Sequence, residues 1–282
     1  MAKKIMYYAV GGGMGHITRA KAVLYTAEIE KEEVIICTAS KYAGELLKDY
    51  NYEIIPGELA YDKSELQNWL LDFIKTHEIG GVYLDVFPGG IIGEWMDFPL
   101  KELNFFYMAR IFKYLFYQSK FKGSFPSFSE IFICEKIPKD QLDWTRKLGK
   151  KISFFNLFYE EKSSSESLRK QFEKSDQTNW IIVHSGPEKE VEVLFQEAID
   201  LANMEKTDAK FWLISGTLPD SLKGKVEYIG SQTFNDLLEL SDLIISACGF
   251  NTMHQLKFIK TRHVSIPFER KYDNQFWRKK NM

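Results

Sequence analysis

The chain has 282 residues, 45% of them hydrophobic and 27% charged, with a formal net charge of -2. That length suits two modest α/β domains, the near-neutral charge carries no nucleic-acid signature, and no apolar run approaches the roughly 18 residues that span a bilayer. Three cysteines, Cys37, Cys134 and Cys248, stand far apart with no CxxC pair and no zinc-like histidine spacing, which argues for reduced, buried thiols.

Residues 4–10 predict a strand entering Gly11-Gly12-Gly13-Met14-Gly15-His16, and 17–30 carries Ala20, Val23, Leu24 and Ala27 at helical spacing. A P-loop would end in Gly-Lys-Ser/Thr, whereas Gly15 is followed by His16-Ile17-Thr18. A dinucleotide fingerprint beginning at Gly11 needs glycine where His16 stands, and no acidic residue closes the strand at 34–38. At a helix start, His16 is either a simple cap or a group whose neutral form the helix N-terminus favours, as a base requires.

Strands at 33–38, 52–55 and 81–87 alternate with helices at 40–50 and 64–76, the pattern of right-handed βαβ units on a parallel sheet. Asp85 lies near the end of the last of these strands, within reach of chemistry at the sheet edge, although a lone aspartate is commonly structural. No Asp-x-Asp motif stands near it to support a divalent-ion mechanism. Arg110 closes a further strand at 104–109. Beyond it, 111–122 interleaves aromatics with lysines, which suits either a core-packed helix with exposed lysines or one lying at a lipid headgroup surface. Strands at 129–134 and 152–158 complete this half, and the hydrophilic, poorly patterned run 160–178 reads as an interdomain connection.

The second half opens with a strand at 179–184, and Ser185-Gly186-Pro187 turns into a helix at 188–202. His184, at the end of that strand, either faces the site or is inert. Strands at 210–215 and 226–230 and a helix at 234–240 lead to the strand 242–246, which runs into Cys248-Gly249. Gly249 permits a tight turn, and Asn251 or Thr252 is placed to cap a helix reaching about residue 260. A helix N-terminus among such small residues is a natural seat for a diphosphate. The strand at 264–268 delivers the polar cluster 269–275 to the same sheet edge, so that a phosphate and a polyhydroxylated group could be held side by side.

The stretches SACGFNTMHQL and IPFERKYDNQFWR resemble the donor half of GT-B-type nucleotide-sugar glycosyltransferases, in particular the group that includes the bacterial transferase adding N-acetylglucosamine to lipid-linked muropeptide. The N-terminal GGGMGHITRA is similar to that group's glycine-rich loop. The resemblance implies an α/β fold of two Rossmann-like domains facing a cleft, 1–162 for the acceptor and a shortened 179–282 for the donor, joined by a linker at 163–178. It implies metal-independent transfer of a sugar from a nucleotide diphosphate, with UDP expected, to a hydroxyl of a glycan or lipid-linked acceptor, with no cofactor beyond the substrate. By position it makes His16 the base or acceptor-side contact, with Asp85 the next candidate, and places Gly12, Gly13, Gly15 and Arg110 on the acceptor side. Ser185, Gly186, Gly249, Phe250, Asn251 and Thr252 then serve the diphosphate, and Asp273, Asn274 and Gln275 the sugar hydroxyls. Gln255 stands where the group has a glutamate on the ribose, which puts donor preference in doubt. The expected location is cytoplasmic, with peripheral contact at the inner face of the membrane as a further expectation. Two other readings accompany this one: a nucleotide-sugar epimerase or hydrolase of similar fold, and a non-catalytic nucleotide-sugar-binding subunit.

Overall fold

The computed structural model describes residues 3–282. The chain divides into two compact units, the first running through Tyr159 and taking in Arg270–Asn274, the second comprising Glu160–Glu269 and Gln275–Met282.

In the first unit seven strands, β1 (Lys4–Ala9), β2 (Val34–Thr38), β3 (Tyr52–Ile54), β4 (Ile79–Asp85), β5 (Asn104–Ala109), β6 (Phe128–Ile133) and β7 (Ile152–Phe154), pair in the order β3-β2-β1-β4-β5-β6-β7. Every pairing is parallel. Central strands of such a sheet are covered on both faces, which is why β2 is buried at every position and reads as an unbroken apolar run. The helices are α1 (Met14–Thr26), α2 (Ala43–Leu46), α3 (Lys63–Thr76), α4 (Tyr114–Gln118) and α5 (Lys139–Arg146). Part of the aromatic excess forms a ladder across the strands, with Tyr83 stacked on Phe106 at 4.7 Å and Phe132 against Phe155 at 5.3 Å. Of the segment 111–122, only α4 is helical. Phe112 and Tyr117 are buried with Val86 and Phe87, while Leu115 and Phe116 are exposed.

The second unit holds α6 (Glu166–Glu173), β8 (Thr178–His184), α7 (Glu188–Glu205), β9 (Ala209–Ser215), β10 (Glu227–Gly230), α8 (Asn235–Leu240), β11 (Leu243–Ala247), α9 (Phe250–Leu256), β12 (Arg262–Ile266) and α10 (Gln275–Asn281). Its sheet runs β10-β9-β8-β11-β12, again parallel throughout. The segment 163–178, expected as a bare connection, carries α6 instead. Leu168 and Phe172 fall on one helical face, and Phe172 is buried with its ring 4.8 Å from that of Trp212. Asn179 fastens this helix to the sheet, giving its amide to the Phe172 carbonyl at 3.0 Å and accepting from Trp212 Nε1 at 2.8 Å.

The ends of the helices also differ from expectation. Gly13 and Gly249, both with extended backbone, are the N-caps of α1 and α9. His16, Asn251 and Thr252 therefore lie inside the first helical turn rather than at the N-cap position.

Candidate active site

In an open parallel sheet, ligands gather beyond the carboxyl ends of the strands where the strand order reverses. The first sheet reverses between β1 and β4, and the second between β8 and β11. Residues 10–16 and Asp85 leave the first of these points, His184 to Gly186 and Cys248 to Gly249 the second.

At the first point the side chains form a tight polar cluster. Asp85, with no side-chain exposure, receives His16 Nδ1 at 2.5 Å on Oδ2. Arg19 donates Nε to Oδ1 and Nη2 to Oδ2, each at 2.5 Å, and the Tyr7 hydroxyl donates to Oδ1 at 3.3 Å. His16 and Arg19 reach the same carboxylate because residues three apart share a helical face. Burial alone would raise the Asp85 carboxyl, but Arg19 and His16 outweigh it and hold the group well below the usual carboxylate range. For His16, burial, together with the nearby charges of Arg19 and Arg110, outweighs the pull of Asp85 and lowers the pKa, which favours the neutral imidazole at pH 7. A neutral ring giving its Nδ1 proton to an aspartate keeps the lone pair of Nε2, which is the tautomer a general base needs. The ring fits only because Gly11 has no side chain, since a Cβ there would stand 2.3 Å from His16 Cδ2 and 2.6 Å from Nε2.

Strain accompanies this arrangement. Val86, directly after Asp85, has φ of 70°, and the Phe87 amide donates to the Asp85 carbonyl at 2.8 Å across it, as in a positive-φ γ-turn. A buried β-branched residue in that conformation is a true outlier, tolerated where surroundings over-determine it. Of the other expected acceptor-side residues, Gly12 and Gly13 are exposed and Gly15 half-buried. Arg110 is buried at the end of β5 and pairs with Asp273 at 2.7 Å within this same unit. The aromatic and basic run meets the same strip, Lys113 Nζ reaching the Arg270 carbonyl at 2.8 Å and Lys120 Nζ the Tyr272 hydroxyl at 3.1 Å.

The second unit distributes the remaining residues. Ser185 is exposed, Gly186 half-buried, and His184 is buried against Glu190 at 2.8 Å, with no room for a Cβ on Gly186 beside it. Phe250 is buried, while Gly249, Asn251, Thr252 and Gln255 are half-buried at the start and along one side of α9. Gln275 is buried, and its Oε1 accepts the Phe268 amide at 2.9 Å. One turn later the fully buried Arg278 donates to the Cys248 carbonyl at 2.9 Å. Together they tie α10 to the loops that follow β12 and β11. Asp273 and Asn274 lie in the strip that belongs to the first unit, where Asp273 also accepts the Asn274 amide at 3.0 Å. The expected cluster 269–275 is thus divided between the units, because Arg110 draws Asp273 to one sheet while Gln275 opens a helix on the other.

Arg19, Glu94 and Arg278 were not singled out from the sequence, although the spacing of Arg19 from His16 was a readable signal. Cys37, Cys134 and Cys248 are buried and in no disulfide, as expected, and burial pushes the thiols of Cys37 and Cys134 up.

No family model matches this sequence, and no curated protein does. Solved structures do match. The spinosyn rhamnosyltransferase SpnG, complexed with thymidine diphosphate, is similar over 94% of this chain and 81% of its own, with 10% identity and a TM-score of 0.58. A putative UDP-N-acetylglucosamine 2-epimerase from Listeria monocytogenes covers 97% of this chain and 81% of its own at 12% identity and a TM-score of 0.60. The glycosyltransferase SnogD from Streptomyces nogalater covers 94% and 84% at 13% identity and a TM-score of 0.56. At this identity the likeness establishes the fold: two parallel α/β units on the GT-B plan, shared by transferases and epimerase-like proteins.

Proposed function

We propose that the protein is a glycosyltransferase that moves a sugar from a nucleotide diphosphate, UDP or TDP, to an acceptor hydroxyl. The observation that carries this reading is the neutral His16 ring, anchored through Nδ1 on the buried Asp85 at the reversal point of the first sheet. In the reaction the acceptor oxygen attacks the anomeric carbon while its proton passes to His16 Nε2. The bond from the anomeric carbon to the diphosphate breaks, and its electron pair leaves with the diphosphate. Asp85 stabilises the imidazolium that forms, and Arg19 keeps Asp85 ionised throughout.

The diphosphate is assigned to the turn at Gly249 and the first residues of α9, with Ser185 and Gly186 beside it. The sugar is assigned to Asp273, Asn274 and Gln275. Gln255 is assigned to the ribose. The fold is that of proteins solved with thymidine diphosphate, which supports a nucleotide donor. Its likeness to an epimerase keeps alive a second reading, in which the same dyad serves a nucleotide sugar without an acceptor.

Thermal shift with UDP, TDP and their sugars, followed by product analysis with a labelled sugar, tests the proposal. Transfer to an added glycan or lipid supports it, and free altered sugar favours the epimerase. Binding without turnover would overturn an enzymatic role.

A further inference from the structure

Loop 86–97, which continues the chain from Asp85, is organised around a carboxylate. Glu94 has no exposure, and among the described residues no lysine, arginine or histidine pairs with it. Its Oε1 accepts the Tyr8 hydroxyl at 2.7 Å and the Ile91 amide at 3.1 Å, and its Oε2 accepts the Ile92 amide at 2.9 Å. Burial raises this carboxyl above its ordinary value even though all three donors pull the other way. Gly90, at φ of 85°, lies so close that a Cβ would stand 2.0 Å from the Glu94 carboxyl carbon. Elsewhere the loop is pinned by the Tyr117 hydroxyl, which accepts the Gly89 amide at 2.9 Å and donates to the Gly90 carbonyl at 2.7 Å. Gln67 adds bonds to the carbonyls of Glu94 and Met96. The loop also carries Phe87, whose ring centre lies 6.1 Å from that of His16.

Burying an unpaired charge is costly, and an apolar residue would fill the same volume at less cost. What a carboxylate alone supplies is two oxygens that only accept, here meeting three donors that only an acceptor can satisfy together. We infer that Glu94 is a positioning residue for the site: it fixes the loop after β4 through the Ile91 and Ile92 amides, and through Phe87 the seat of the His16 ring. This rests on the reading of His16 as the base.

The test compares the full chain with Glu94→Gln, which keeps the shape but turns an NH₂ toward one of those donors. Amide exchange at Ile91 and Ile92 is expected to quicken at least about tenfold while the strands of the first sheet keep their protection. The imidazole titration of His16, followed by NMR, should move, and UDP affinity by calorimetry should stay the same. Unchanged exchange and an unchanged His16 titration in Glu94→Gln would overturn the inference, and so would loss of protection spread evenly through the sheet. If Glu94→Gln does not fold, Tyr8→Phe removes one of the three bonds and should shift both readouts in the same direction by less, with no shift in either counting against the inference. Failure of the wild type to bind UDP would sink the donor assignment and leave the exchange result standing.

Discussion

Asp85 takes hydrogen bonds from an arginine, a histidine and a tyrosine at a position that water does not reach, so its charge is both necessary to its neighbours and dependent on them. Replacing it with asparagine leaves the buried Arg19 without its counter-charge, and chemical denaturation should show a loss of about 3–5 kcal/mol. His16→Ala breaks no such pair of fixed charges. It should lower transfer roughly 10²-fold or more in steady-state kinetics, while calorimetry finds nucleotide affinity nearly unchanged. Gly11→Ala forces the ring aside and should cost turnover in the same way, with His16 still present. Because the folded-state pKa of His16 lies below its unfolded value of about 6.5, the ring's contribution to stability is present above that pH and declines as the pH falls toward the lower value. The acid limb of kcat/KM, which reports the free enzyme's base, should accordingly lie below about pH 6.5.

At the scale of elements, the parallel strands were legible because most are short apolar runs bounded by glycine, proline or polar residues, and most of their limits fall within two residues of expectation. The helices were less so. Those at 40–50 and 111–122 shrink to α2 and α4, since turns and buried aromatic contacts decide where they stop. The face of α6 that meets the sheet rests on Leu168 and Phe172 amid charged neighbours, so its periodicity was faint. Nor did α10 show, because the side chains it buries are Gln275 and Arg278, and a search for apolar spacing passes over polar anchors. Of the candidate site, the glycine loop and His16 were readable from local pattern, whereas the partnership with Asp85 depends on strand order that no short stretch encodes. Phe172→Ala should lower the stability of the second unit by about 3–5 kcal/mol in urea titration, as removal of a buried aromatic does. A bare linker would show almost no change.

For the whole molecule the division into units governs what can be isolated. A fragment starting at 179 lacks α6 and exposes Trp212, whereas one starting at 160 keeps that packing. The longer fragment should show cooperative unfolding by circular dichroism and the shorter should not. No helix among the described residues is long and apolar enough to cross a membrane, so neither fragment carries a spanning helix. The strip Arg270–Asn274 adds a constraint of a different order. Recombination that exchanged everything after residue 160 would carry off this strip, including Arg270 and Asp273, whose partners Lys113 and Arg110 stay behind. A chimera is therefore compatible only when the incoming strip matches the resident sheet, so these positions must drift together although they lie far apart in the chain.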